Sequence, residues 1–170
     1  MSNSSFIETQ RFRQVWIWII LIGITASFGW GVVQQLILGK PWGDRPAPDI
    51  LLVILFLLMA VMLLFFYCIK LETEINETGI YYRFFPFQIS PQKIEWSAIN
   101  SATVIKYHPL REYGGWGIRY SFGNKKAYSI SGNQGLQLEL KSGQRLLIGT
   151  QQPAAISLLL QQLFDKKTIN

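Results

Sequence analysis

One histidine, His108, and one cysteine, Cys68, are all that this chain of 170 residues offers toward a metal centre or a nucleophilic triad. A single cysteine excludes an internal disulfide, and zinc-type spacing needs partners that are missing. Neither a Cys–His pair nor a Ser–His–Asp set can be built around one histidine and a cysteine inside an apolar run. Gly114-Gly115-x-Gly117 is followed by no Gly-Lys-Ser/Thr and does not match G-x-G-x-x-G, so nucleotide-loop chemistry is not indicated. Glu95 and Glu112 could meet only through tertiary folding. Charge is scarce too. Charged residues make up 15% of the chain, against about 25% in ordinary soluble domains. Without a long Lys/Arg run, the net charge of +6 does not point to nucleic acid. No catalysis, metal or cofactor is expected.

What the chain has in abundance is uninterrupted apolar sequence. Ile50 to Ile69 reads ILLVILFLLMAVMLLFFYCI, without a charge or an amide. Twenty helical residues span about 30 Å, the thickness of a bilayer's hydrocarbon core. Fifteen of them are Leu, Ile, Phe or Val. At about −0.3 to −0.6 kcal/mol each on an insertion scale, they favour the membrane. Val15 to Val33 forms a second run whose hydroxyls, Thr25 and Ser27, can bond back to helix carbonyls. A cleaved signal peptide is the rival for this first run, but a signal core is shorter, about 7–15 residues. The apolar continuation to Leu38 fits a retained anchor better.

Gly39 to Asp49 (GKPWGDRPAPD) joins the runs, and three prolines end the helices there. The expected organisation is an N-terminal segment 1–14, a transmembrane hairpin 15–70 with spans about 15–38 and 50–69 around the loop 39–49, and a domain 71–170. Both chain ends then share one side. Arg11, Arg13, Lys70 and Arg83 flank that side, against Lys40 and Arg45 in the loop. The positive-inside count places both termini and the domain in the cytoplasm, with the hairpin integral to the bilayer. Gly23, Ser27 and Gly31 fall four apart on one helix face and are expected to pack within the hairpin, with self-association between protomers as the alternative. Gln34 and Gln35 are polar but lie at the end of the span. A pore built from clustered hairpins is a weaker reading, because neither span carries an ionisable group.

Beyond Lys70 the pattern becomes alternating. Leu71 to Ile75, Ile80 to Phe85, Lys93 to Trp96, Ala102 to Tyr107, Gly117 to Phe122, Ala127 to Ser131, Gly135 to Leu140 and Gln144 to Ile148 read as short strands. One helical turn is expected at Ser97–Ile99. Pro153 opens a helix, to about residue 165, with Ile156, Leu159, Leu160 and Leu163 on one face. Thr150, Gln151 and Gln152 are its candidate caps. The expectation is a mainly-β domain of about seven antiparallel strands in a partly open barrel, closed by a C-terminal helix.

This arrangement is similar to the pleckstrin-homology fold. The resemblance rests on the first hairpin ending near Pro86, the element Ile94, Trp96 and Ile99, the turn Gly114 to Arg119, the hairpin LQLELKSGQRLLIGT and the closing helix. With the preceding apolar hairpin, the chain resembles bacterial membrane proteins that carry a bacterial pleckstrin-homology-like domain. The resemblance implies a protein-interaction or self-assembly module. Phosphoinositide binding, known for eukaryotic members of the fold, is not carried over, because this first hairpin bears Glu72, Glu74 and Glu77 against one Arg83.

The most unusual local stretch is Tyr107 to Tyr120, YHPLREYGGWGIRY. It supplies the candidate interaction loop: Tyr107, His108, Arg111, Tyr113, Gly114, Gly115, Trp116 and Arg119. Trp116 and Gly117 are expected to serve structure, with Trp116 filling the barrel core, while His108, Arg111 and Tyr113 are expected at the surface. Lys125 and Lys126 are expected at a solvated hairpin tip and, with Arg111 and Arg119, are the candidate lipid-facing cations. The leading expectation is a non-catalytic, membrane-anchored binding or scaffold module with a protein partner or further copies of itself. An anionic-lipid-binding surface module is the alternative.

Overall fold

The computed structural model describes residues 5–121 and 123–168. It contains two compact units, residues 13–68 and the remainder of the chain.

The first unit is a helical hairpin. Helix α1 (Val15–Val32) continues as a π-helical turn, Val33–Ile37, and α2 spans Asp49–Cys68. Both helices are long and apolar enough to cross a membrane. Their large side chains face outward, as at Ile19, Ile22, Ile54, Leu57, Leu58 and Leu64. Gly31 in α1 and Leu52 in α2 are the buried exceptions. The Thr25 hydroxyl donates to the Leu21 carbonyl at 2.7 Å, the back-bond that makes a hydroxyl tolerable in an apolar helix.

Close packing within the hairpin uses different small residues from those expected. A Cβ on Gly29 would lie 3.1 Å from the Phe56 ring, and one on Gly31 would lie 2.7 Å from the Trp42 indole. Gly23 has open space beside it, and both Gly23 and Ser27 are exposed. The expected Gly23/Ser27/Gly31 packing face therefore reduces to Gly31, held by a loop residue. The helix–helix approach falls to Gly29, two positions away.

Gln35 organises the loop. Its Nε2 donates to the Ala47 carbonyl at 2.7 Å and to Asp49 Oδ1 at 2.6 Å, while its Oε1 accepts from the Trp42 N–H at 3.3 Å. One amide thereby ties the π-turn to the first residue of α2.

The second unit holds nine strands among the described residues, in two open sheets rather than one barrel. The first sheet has the order β1-β2-β3-β4 (Phe6–Arg11, Lys70–Asn76, Gly79–Phe85, Gln92–Glu95). The second has the order β5-β8-β9-β7-β6 (Ile99–Lys106, Gln134–Leu140, Arg145–Gly149, Lys125–Ser129, Gly117–Ser121). The pairing is antiparallel except for β7 and β9, which run parallel from Lys125↔Arg145 to Tyr128↔Ile148. The expected all-antiparallel set of about seven strands is corrected on both counts. Phe122, read as the end of β6, lies outside the described residues.

The N-terminal segment, which the sequence reading left without a role in the domain, supplies β1. It pairs with β2 over six residues, from Phe6↔Ile75 to Arg11↔Lys70. The helical hairpin is thus an insertion between two neighbouring strands of one sheet. Strand β1 was hidden because its buried face mixes Phe6 with Glu8 and Gln10, so alternation by residue type fails while alternation by burial holds.

The two sheets share a core of Leu71, Ile75, Ile80, Phe84, Tyr128, Leu136, Leu138 and Ile148. The Tyr82 and Phe84 rings stack on Tyr128 at 4.9 and 6.3 Å. Helix α4 (Pro153–Thr168) lays Ile156, Leu159, Leu160 and Leu163 inward, as its spacing predicts. Gln152 holds the cap position just before it, and the Thr150 hydroxyl accepts the Gln152 N–H at 3.0 Å.

Glu8 joins the first strand to this helix start. Its Oε2 accepts from the Thr150 hydroxyl at 2.6 Å and its Oε1 from the Gln151 N–H at 2.8 Å. A buried carboxylate held by two donors meets the condition under which burial is tolerated. Gln10 extends the link, donating to the Gly149 carbonyl at 2.6 Å.

Candidate functional site

The Tyr107–Tyr120 stretch folds into a short helix, α3 (Pro109–Tyr113), followed by a glycine turn and β6. The sequence reading gave no helix here. Pro109 suits the first helical position, and Gly114 ends the helix in the left-handed region at φ 70°. The Glu112 carboxylate accepts the His108 N–H at 2.8 Å, so the loop closes on itself.

The structure divides the predicted loop residues. Tyr107 is buried and meets Tyr113 edge-on at 5.9 Å; burial pushes both hydroxyls up in pKa. Gly115 is buried, and Gly114 and Gly117 adopt positive φ. Trp116 does not fill a core. It is half-buried, and its indole N–H donates to the Gly132 carbonyl at 2.8 Å, pinning the glycine turn to a neighbouring loop. His108, Arg111 and Arg119 are exposed, whereas Tyr113 is half-buried behind Tyr107. Arg119 turns its Nε toward the Trp116 carbonyl at 3.0 Å. The exposed apolar residues here are Leu110 and Tyr120, at 71% and 73% of their full accessibility. Both were passed over because their side chains attract no chemical attention.

Lys125 and Lys126 do not sit at a solvated tip. The tip is Gly123-Asn124, with Asn124 at φ 58°, and both lysines are half-buried at the start of β7. The Lys126 ammonium lies 4.9 Å from the Tyr120 ring and 4.8 Å from the Tyr128 ring. Burial works to lower its pKa, but the two tyrosines outweigh burial and raise it. Lys126 therefore acts as a cation clamped between aromatic faces.

On the first hairpin, charge is internally matched. Glu72 accepts from Arg83 Nε at 2.6 Å and also pairs with Lys70. Desolvation pushes the Glu72 carboxyl up, but its bonds to Lys70 and Arg83 prevail and hold it below the ordinary value of 4.5. A recess of about 200 Å³ opens over this face, lined by Ile7, Thr9, Glu72, Glu74, Tyr81 and Arg83 among others. Its cation, Arg83, is engaged by Glu72.

The loop between β3 and β4, Pro86–Pro91, is a feature the sequence reading missed. Gln88 turns inward: its Oε1 accepts the Phe84 N–H at 2.9 Å and its Nε2 donates to the Tyr128 hydroxyl at 3.2 Å. The Gln88 N–H donates to the Phe84 carbonyl at 2.9 Å, and Arg83 Nη1 donates to the Ile89 carbonyl at 3.1 Å. With Gln88 anchored, its neighbours Phe87 and Ile89 are turned out, at 62% and 81% exposure. The signal was present as two apolar residues around one amide, enclosed by two prolines, but a loop between strands invites no burial argument.

Among the described residues, no group of three or more His, Cys, Asp or Glu side chains could hold a metal ion. A family model, described as a family of unknown function (DUF6141), matches residues 4–163. The chain belongs to that family. No curated protein matches it.

Proposed function

We propose that this member of a family of unknown function is a membrane-anchored, non-catalytic binding or scaffold module. In this reading α1 and α2 cross the inner membrane as a hairpin, and the β domain is a pleckstrin-homology-like module on the cytoplasmic side. The observation that carries the proposal is the insertion of the hairpin between β1 and β2, which pair over six residues. A domain tethered by one flexible linker is free to wander. Here the chain enters and leaves the apolar hairpin through adjacent strands of one sheet, so the β domain has two short attachments instead of one. Such an attachment suits a module whose task is to present a surface at the bilayer.

Two sheets closed by a C-terminal helix support the pleckstrin-homology-like reading, although the parallel β7–β9 pair departs from an all-antiparallel pattern. The surface best suited to a protein partner or a second copy is the α3–β6 region. It combines exposed Leu110 and Tyr120 with Arg111, on a turn whose shape is fixed by the Trp116 and Glu112 bonds. Apolar and aromatic contacts with a nearby Arg are typical of interface centres.

Native mass spectrometry of the full-length protein, released gently from its own membrane, tests the proposal. The expected result is a defined homo-oligomer or a stoichiometric protein partner, lost on Leu110→Asp with Tyr120→Asp. A strictly monomeric mass without a partner contradicts it.

A further inference from the structure

Two features of the β domain present surface with no role assigned so far: the recess over the first hairpin and the Pro86–Pro91 loop. Only the latter has a neighbour that the chain itself specifies. Strand β2 begins at Lys70, two residues after the end of α2 at Cys68. Strand β3 runs back antiparallel to β2, and its last residue, Phe85, lies opposite Lys70. Strand β1 ends in the same row, Arg11 opposite Lys70, just before α1. The row Arg11–Lys70–Phe85 is therefore the end of the sheet where both connections to the helices leave, and the Pro86–Pro91 loop continues from that row.

We infer that this loop is a second, interfacial membrane contact, with Phe87 and Ile89 entering the boundary between headgroups and acyl chains of the bilayer that α1 and α2 cross. The inference rests on the membrane-crossing reading of the hairpin. Its own support is the construction of the loop. A flexible apolar loop would fold its side chains back onto the protein. In this one the Gln88 side chain is bonded at both ends, and the Ile89 carbonyl is held by Arg83. Phe84 backs the Phe87 ring at 6.0 Å. The loop is thus pre-shaped, so presenting Phe87 and Ile89 outward requires little further ordering. Lys70, over the Phe85 ring at 5.8 Å and paired with Glu72, adds a cation to the row from which the loop continues, of the kind that meets headgroups. Phe and Ile flanking a polar anchor have the character of interfacial rather than spanning segments.

Depth-dependent fluorescence quenching tests this in the full-length protein, in liposomes of phosphatidylethanolamine and phosphatidylglycerol. In a Cys68→Ser background, single cysteines are placed by Ile89→Cys, Glu77→Cys and Leu57→Cys and given an environment-sensitive fluorophore. Ile89 is 81% exposed, so labelling leaves the core untouched. Glu77 lies in the β2–β3 turn, at the opposite end of the same sheet. Leu57 lies in the middle of α2. The expected result is several-fold stronger quenching at Ile89 than at Glu77 by a spin label placed just below the headgroups, and quenching at Leu57 by a label deep in the acyl chains. If Leu57 is quenched while Ile89 behaves like Glu77, the loop inference is overturned and the anchor survives. If Leu57 is not quenched by the deep label, the membrane-crossing reading fails and the inference falls with it.

Discussion

Helices α2 and α4 are both rich in leucine, and they bury opposite amounts of it. In α2, twenty residues long, only Leu52 is buried. In α4, Ile156, Leu159, Leu160 and Leu163 all lie inside the β domain. The difference is one of pattern. The buried apolar residues of α4 recur at one helical face, with Leu158, Gln161 and Gln162 exposed on the other side, so a sheet can cover that face. The apolar residues of α2 surround the helix, and no single protein face could cover them. The buried face of α4 is covered by its own domain, whereas α2 buries only Leu52 and is long and apolar enough to cross a membrane.

The contrast is broken most sharply from the α4 side. Ile156→Ala removes a fully buried side chain and should cost about 2–5 kcal/mol of β-domain stability. The outward-facing Leu58→Ala in α2 should cost well under that in detergent, because no protein cavity is left. Thermal melts of the two variants should separate clearly, and equal losses would sink the distinction.

A second prediction concerns the buried polar link that holds the start of α4 to β1. Glu8→Ala leaves the Thr150 hydroxyl and the Gln151 N–H without their acceptor, a loss of about 1–3 kcal/mol. Faster amide exchange should follow at both β1 and the first turn of α4. Exchange confined to β1 would show that the link does not carry stability into the helix.

Within the hairpin the effects should be smaller and specific to position. Gly31→Leu collides with Trp42, and Gly29→Leu crowds Phe56; each should loosen the hairpin by about 1–3 kcal/mol, as overpacking does elsewhere. Gly23→Leu, with open space beside it, should be tolerated. Resistance of the helices to unfolding in detergent mixtures would report the order, and a Gly23 effect equal to that of Gly31 would contradict it.

The smallest effect is electrostatic. Glu72 is stabilised as a carboxylate in the folded domain, with its pKa held below the usual value by Lys70 and Arg83 against the pull of desolvation. A depressed folded-state pKa contributes stability above the ordinary carboxylate range, and that contribution is lost as pH falls through the folded value. Melting temperatures measured on descending into the acid range should therefore drop less steeply for Glu72→Gln than for the parent. An unchanged slope would assign the acid sensitivity to other carboxylates.

How much of this was legible in the sequence follows the same contrast. Continuous apolar runs are hard to misread, and both long helices fall within a residue or two of their expected limits. The hairpins of the second sheet and the amphipathic α4 were visible as periods of two and of about 3.6. Strand β1 was not, because a strand that buries Glu8 and Gln10 reads as polar. The parallel β7–β9 pair was not, because periodicity is silent on strand direction. Helix α3 was missed because its five residues hold no repeat. At the candidate site, depth was poorly legible. Tyr107 lies within and Tyr113 behind it, while Trp116 is at an edge. Lys126 lies between Tyr128 of its own strand and Tyr120, which adjoins it only once β6 and β7 pair. Phe87 and Ile89 were overlooked, since their outward turn depends on where the Gln88 side chain goes.

The central claim is that the hairpin crosses the bilayer and leaves the β domain on the cytoplasmic side. The most direct measurement is sidedness of thiol labelling with a membrane-impermeant reagent on intact and inverted inner-membrane vesicles. Asp44→Cys in the hairpin loop and Glu77→Cys in the β2–β3 turn would each be placed in a Cys68→Ser background. The account predicts that Asp44→Cys labels only in right-side-out vesicles and Glu77→Cys only in inverted ones. Labelling of both positions from the same side would contradict it.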